Sequence, residues 1–329
     1  MTHRPRTVLA MGPDARGTVL GDDALKRLTS VATVDTGVLV TDFGDPAYAE
    51  QLAAAEVLFT CWGCPPLTEE ALNRMPGLRA VIHAAGSVKG HVTEAVWNRG
   101  IRVTTAAAAN ALPVAEYTVA AILNANKRVL GTSLAYRQAR CQLNPLRLFP
   151  DLGNYRRTVG IVGASRIGSR VIELLAPFDL ELLVHDPYLP EGRSVDLDDL
   201  VRRSDVVSIH APELPETRHM FNRERLALLA DGATLINTAR GSLVDTEALT
   251  AELVSGRIHA VLDVTEPEVL PADSPLYDLP NVLLTPHVAG SLGRELGRLA
   301  EYAIDEVERY ARGLPLVHEV HPSALSRSA

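Results

Sequence analysis

Short apolar, β-branched runs alternate along the chain with longer stretches whose apolar residues recur at helical spacing. Strands are predicted at residues 8–11, 57–60, 80–83 and 101–104, with helices at about 22–29, from Thr68, and ending near Asn98. An apolar helical stretch follows from Pro113 to about Leu130, with Pro113 at its start, where a missing N–H costs nothing. Glu116 then reads as a charge at the helix start, favoured by the dipole. Residues 131–155 show no period and carry Pro145, Pro150 and Gly153, which predicts an irregular connection. A second series has strands at Val159, Leu182, Val206, Thr234, His259 and Val282, and a long helix covers about 290–312. The alternation predicts an α/β fold with parallel sheets.

Length and composition narrow this picture. The 329 residues exceed one ordinary domain and suit two, each able to bury a core. Hydrophobic residues at 47% and charged residues at 22% are the balance of a globular protein. A net charge of −8 with no long basic run argues against nucleic acid or an anionic membrane surface as partner. It leaves an anionic small molecule open, because one buried Arg decides such a site. No apolar run approaches the ~20 residues of a membrane helix, and the N-terminus lacks the apolar core and cleavage site of a signal peptide. Three cysteines are too few for a disulfide framework, so a reducing, cytoplasmic setting is expected.

The first chemical signal is TVGIVGASRIGSRVIELL, a strand running into glycines and then an amphipathic helix. In a Rossmann turn the glycines bring backbone N–H groups onto a pyrophosphate at a helix N-terminus. Gly163, Arg166, Ile167 and Gly168 fit that turn, while Ser165 stands where a middle glycine is usual. Asp186 follows the next strand at about the ~20-residue offset of the acidic residue that binds the adenosine ribose. A carboxylate there repels a 2′-phosphate, so NAD is expected over NADP. The competing reading is a glycine-containing strand-to-helix turn of some other α/β protein.

Three later segments each follow an apolar strand: LINTARGSLVD with Arg240, LDVTEPEVLP with Asp263, Glu266 and Glu268, and LLTPHVAGS with His287. Their polar residues therefore fall at strand carboxyl ends, where open α/β sheets bind ligands. Reducing a 2-oxo acid requires a cation for the carboxylate and a proton donor for the developing alkoxide. Arg offers a planar fork for the first. His offers a proton near neutral pH for the second, above all beside a carboxylate.

With these motifs the sequence resembles the D-isomer-specific 2-hydroxyacid dehydrogenase family, which includes glyoxylate/hydroxypyruvate reductases and phosphoglycerate dehydrogenases. The match is strongest over residues 158–291, in SDVVSIHAPELPETRHMF, GATLINTARGSLVDTEAL and DVTEPEVLPADSPLYDLPNVLLTPHVAG, and weaker in RAVIHAAGSVKG and ANALPVAEYTVAAIL. The resemblance implies two Rossmann-like doubly wound domains. A discontinuous substrate domain (1–105 with the C-terminal helix of 291–329) would flank an NAD-binding domain (106–290), in a homodimer acting on a small anionic 2-oxo or 2-hydroxy acid. It implies Arg240 on the substrate carboxylate, His287 as acid–base and Glu268, rather than Glu266, orienting it. The usual proline after that glutamate is Val269 here. Asp263 would lie near the nicotinamide, and His210, Pro212 and Thr238 would line the cofactor cleft. The backbone of Gly86, Ser87 and Val88 would hold the substrate carboxylate, although Ala85-Gly86-Ser87-Val88-Lys89 departs from the common Gly-Val-Gly-x-Asp. Lys89 adds positive charge or points to solvent.

Alternatives from other classes are an NAD(H)-sensing binding protein of corepressor type, and oxidation of another small anion such as phosphite. Formate chemistry fits less well, since relatives performing it pair the His with Gln. No metal site is expected. Cys61-Trp62-Gly63-Cys64 admits a redox pair or half a zinc site, but no second pair completes a tetrahedral set. Trp62 is a candidate lining of the substrate pocket, and His185 reads as packing.

Overall fold

The run Thr7–Ala10 is apolar apart from its first residue and buried throughout, and it forms β1. β2 (Val57–Thr60), β3 (Ala80–His83) and β4 (Arg102–Thr105) follow it in parallel register. β11 (Glu319–Val320) closes the edge by pairing antiparallel to β4. The computed structural model describes residues 3–325. Because side chains alternate across a strand, Leu9, Phe59 and Ile82 enter one apolar layer. Val8, Leu58 and Val81 enter the layer on the opposite face. The first layer is completed by the helices Asp22–Val31 and Leu296–Ala311, whose residues Leu28, Leu299, Ile304 and Val307 are buried in it.

The second sheet holds β5 (Arg157–Val162), β6 (Leu180–His185), β7 (Val206–Ile209), β8 (Thr234–Asn237), β9 (His259–Leu262) and β10 (Val282–Leu284), in the order β10-β9-β8-β7-β5-β6. All its pairings are parallel. Chain order reverses between β5 and β7, and that switch point is where doubly wound sheets bind ligands beyond their carboxyl ends. Both faces are again covered: Val207, Ile209, Leu235 and Leu262 pack into one layer and Val159, Ile161, Ile236 and Val261 into the other. The chain thus divides into two α/β units with parallel sheets. One takes the chain through Ala111 and from Ser291 onward, the other Leu112–Gly290.

Three expectations need correction. The helix assigned to start at Pro113 begins at Ala107 and runs to Asn126, with Pro113 inside it. The alanines ahead of the proline are strong helix formers, and they outweigh the bond to Ala109 that Pro113 cannot donate. Glu116 is therefore an exposed mid-helix residue, not a helix-start charge. The connection expected to be irregular contains the helix Val129–Ala139 and the short turn of helix Pro145–Leu148. Arg128, in a left-handed conformation at φ 46°, separates the first of these from the preceding helix. Lastly, the C-terminal helix starts at Leu296 after a 3-10 turn, Gly293–Glu295, rather than at Gly290.

Candidate active site

In the second unit, β5 delivers the chain into the glycine turn and the helix Arg166–Leu175. The turn is too tight for side chains at its two glycines. A Cβ on Gly168 would lie 1.9 Å from the Gly163 carbonyl oxygen, and one on Gly163, at φ 92°, would lie 2.8 Å from the His210 backbone. Ser165 takes the N-cap with a negative φ of −75°, so its backbone does not require glycine, and its hydroxyl makes no cap bond. Its side chain and that of Arg166 are exposed, and Ile167 packs partly into the core. Asp186, at the end of β6, accepts from Ala164 N (2.8 Å) and Tyr188 N (2.8 Å), which ties the acidic residue to the turn. A cradle that a Cβ would fill, an uncapped helix N-terminus and a carboxylate beside them fit a dinucleotide.

Three further residues were expected to line the cofactor cleft, and His210 is the one seen against this turn. His210 is buried behind it, with Nε2 2.9 Å from Ser208 Oγ. Burial lowers its pKa to about 4, which keeps the ring neutral; Nδ1 has no partner among the described residues. Pro212 offers its carbonyl to the Thr217 hydroxyl at 2.7 Å. Thr238 is buried, its hydroxyl 3.0 Å from that of Thr118.

Arg240 follows β8 on a braced turn. Asn237 Nδ2 donates to the Arg240 carbonyl (2.8 Å), and Asn237 Oδ1 accepts from Ala239 N (3.1 Å). Gly241 then passes so close to the Thr265 carbonyl that a Cβ would lie 2.1 Å away, locking this turn to the loop after β9. Among the described residues the Arg240 guanidinium meets no carboxylate; Nη1 donates only to the Ala239 carbonyl (2.7 Å). The neighbouring acids are engaged elsewhere. Glu213 accepts from Ser242 (2.7 Å), and Glu266 accepts from Arg218 (2.8 Å) and lies 3.1 Å from His219 Nε2. Its hydrogen bond from Arg218, and then that from His219, hold the Glu266 carboxyl below its usual range.

Glu268, not Glu266, reaches His287: Oε1 lies 2.6 Å from Nδ1. That contact places a proton on Nδ1 and leaves Nε2 as the exchanging nitrogen. His287 follows β10 with a left-handed backbone, φ 54°. Asp263 lies beneath the loop, 2% exposed, and accepts from Thr285 Oγ1 (2.7 Å), Val288 N (2.8 Å) and Ala289 N (2.9 Å). Its carboxylate is thus filled by the His287 loop. Thr285 and Tyr117, whose hydroxyls lie 2.9 Å apart, were part of quoted motifs but carried no legible signal of this role.

In the first unit, β3 ends in the loop of Gly86, Ser87 and Val88. Val88 is fully buried, so only its backbone is available to a ligand, while Ser87 and Lys89 are exposed. Lys89 N donates to Ser87 Oγ at 3.4 Å. Below the loop lie His83 and His91, with ring centroids 4.5 Å apart; burial lowers their pKa values to about 3 and about 4. Cys61 and Cys64 are free thiols. Burial pushes both up to about 12, the opposite of a reactive thiolate. Among the described residues no group of three or more His, Cys, Asp or Glu is arranged to hold a metal, and no helix is long and apolar enough to cross a membrane. Trp62 is 46% exposed, and His185 donates from Nδ1 to the Val195 carbonyl at 2.8 Å.

Comparison with known proteins identifies what the chain is similar to. The family model described as D-isomer specific 2-hydroxyacid dehydrogenase, NAD binding domain, matches residues 119–289. Glyoxylate reductase of Thermofilum pendens is 38% identical over 247 residues, which is 71% of this chain and 72% of that protein. D-3-phosphoglycerate dehydrogenase of Methanocaldococcus jannaschii is 30% identical over 303 residues, 89% of this chain but 56% of that protein, so the chain spans little more than half of that relative's length. Among solved structures, D-lactate dehydrogenase of Aquifex aeolicus, complexed with NAD and lactic acid, aligns with a TM-score of 0.70 at 29% identity, covering 93% of this chain and 96% of that one.

Proposed function

The chain belongs to the D-isomer-specific 2-hydroxyacid dehydrogenase family, and from that premise we propose that it moves a hydride between NAD(H) and a small 2-oxo or 2-hydroxy acid using Arg240, Glu268 and His287. NAD is the cofactor of the family's matched domain, and Gly163, Ser165, Arg166, Ile167, Gly168 and Asp186 are the residues that would hold it. Bound there, it supplies the hydride in reduction and takes it up in oxidation.

The observation that carries the reading is an imidazole held by a carboxylate at 2.6 Å, in the same unit as a guanidinium that meets no carboxylate among the described residues. Arg240 pairs with the substrate carboxylate and polarises the carbonyl through its planar fork. His287 gives a proton from Nε2 to the oxygen as negative charge develops on it, and takes that proton back in oxidation. Glu268 offsets the charge of the imidazolium form and fixes the tautomer. Backbone N–H groups of Gly86, Ser87 and Val88 are further donors suited to a carboxylate. The paired His287 and Glu268 argue for the enzyme over an NAD(H)-binding regulator.

The test is a screen of 2-oxo acids with NADH and NADPH, followed by Arg240→Ala. NADH should outperform NADPH because of Asp186, and the variant should lose at least ~10²-fold in turnover. Wild-type turnover in Arg240→Ala would remove the assignment.

A further inference from the structure

The His287 loop is held from below by polar groups that the proposed reaction does not consume. A residue with a Cβ adopts a left-handed backbone only where its surroundings impose it. At His287 the N–H donates to the carbonyls of Asp263 (2.9 Å) and Thr285 (3.0 Å). The next two N–H groups, of Val288 and Ala289, go to the Asp263 carboxylate. The hinge of this arrangement is Thr285. It has one hydroxyl proton, and the 2.7 Å bond to Asp263 Oδ1 uses it. In the 2.9 Å contact with Tyr117, the phenol must therefore donate. Desolvation raises the Tyr117 pKa, which keeps that proton in place. The hydrogen bonds run in one direction only, from Tyr117 on the helix Ala107–Asn126 through Thr285 to Asp263.

We infer that Tyr117 and Thr285 are positioning residues for His287, fixing the orientation of Asp263 and with it the loop turn that presents the imidazole to Glu268. The inference rests on the acid–base reading of His287 for its kinetic consequence, though not for its structural one. Without the phenol, the Thr285 hydroxyl gains rotational freedom and competes less well for Asp263 Oδ1. The loop then samples orientations in which Nδ1 and Glu268 separate. Neither Tyr117 nor Thr285 touches substrate in this scheme, so binding is spared while turnover suffers.

The experiment compares Tyr117→Phe, Thr285→Val and Thr285→Ser with the unaltered chain. Two readouts are taken: kcat and KM for the best 2-oxo acid, and the ring nitrogen shifts of His287 in histidine-labelled protein, assigned with His287→Gln. Tyr117→Phe and Thr285→Val should lower kcat roughly tenfold or more with KM little changed, on the scale set by misplacing a catalytic group. They should also move the His287 Nδ1 shift away from its hydrogen-bonded value. Thr285→Ser, which keeps the hydroxyl, should retain both. Unchanged kcat and unchanged shifts in Tyr117→Phe and Thr285→Val would overturn the inference, as would equal loss in Thr285→Ser. If Tyr117→Phe does not fold, the Thr285 pair decides alone. If the unaltered chain reduces no 2-oxo acid, the proposed reaction fails while the nitrogen shifts still decide the positioning.

Discussion

At the scale of single residues, the choice between Glu266 and Glu268 shows how spacing and structure divide the work. Both glutamates lie in one short segment, and only a resemblance in spacing favoured Glu268. The structure gives each a separate partner: Glu266 binds Arg218 and His219, whereas Glu268 meets His287. The pair of His287 and Glu268 is more than half exposed, so as a surface ion pair it contributes little to stability, about 0–1 kcal/mol. Its value lies in the transition state, where proton transfer by a positioned group is worth about 10²–10⁴-fold. Glu268→Gln keeps an acceptor for Nδ1 but removes the charge that supports the imidazolium. We therefore expect kcat/KM to fall by roughly 10²-fold while the thermal midpoint stays nearly constant. Steady-state kinetics beside a melting curve checks this, and a large drop in midpoint with full activity would contradict it. Asp263 illustrates what the sequence could not disclose. Its position after β9 was legible, but that its two oxygens are filled by Thr285, Val288 and Ala289 depends on how the chain returns from β10.

At the scale of elements, the buried strands were legible because their apolar runs are unbroken and both faces are covered. β2 and β3 have the predicted bounds, 57–60 and 80–83. What escaped were elements whose apolar pattern has no core to answer to within the described chain. The helix Val129–Ala139 contains no buried residue, and β11 is only two residues long. Along this segment Val129, Tyr136, Leu146, Leu148 and Tyr155 are exposed at 46%, 62%, 82%, 50% and 70%. Exposed large hydrophobic side chains this close in sequence make the segment the place to test the homodimer expected from the family resemblance. Carboxylates at Tyr136 and Leu146 would be costly to bury without a partner. The parent chain should sediment as a dimer and the double variant Tyr136→Asp/Leu146→Asp as a monomer at the same concentration, while a monomeric parent or unaltered sedimentation would remove this segment as a dimer surface.

At the scale of the whole molecule, the buried histidines set an acid limit. Burial lowers the pKa values of His83 to about 3 and of His91, His210 and His259 to about 4, against 6.5 for an unburied ring. A folded-state value below the unfolded one means that the unfolded chain binds more protons beneath pH 6.5. Stability is therefore complete above that pH and is lost as pH falls toward 4. The paired carboxyls of Glu266 and Glu319, lowered by Arg218 and Arg102, act in the same direction only within the carboxylate range, at lower pH. Counting His83 and His210 alone, at 2% and 5% exposure, the loss between pH 7 and 5 is on the order of 4 kcal/mol. Against a typical total of ~5–15 kcal/mol, that is a large share. His83 and His91 belong to the first unit and His210 and His259 to the second, so neither unit is spared. Urea midpoints followed by circular dichroism should fall steeply from pH 7 to pH 5, and His210→Gln should flatten the dependence. A midpoint that does not change across that interval would mean the four rings are protonated without unfolding, contrary to their enclosure.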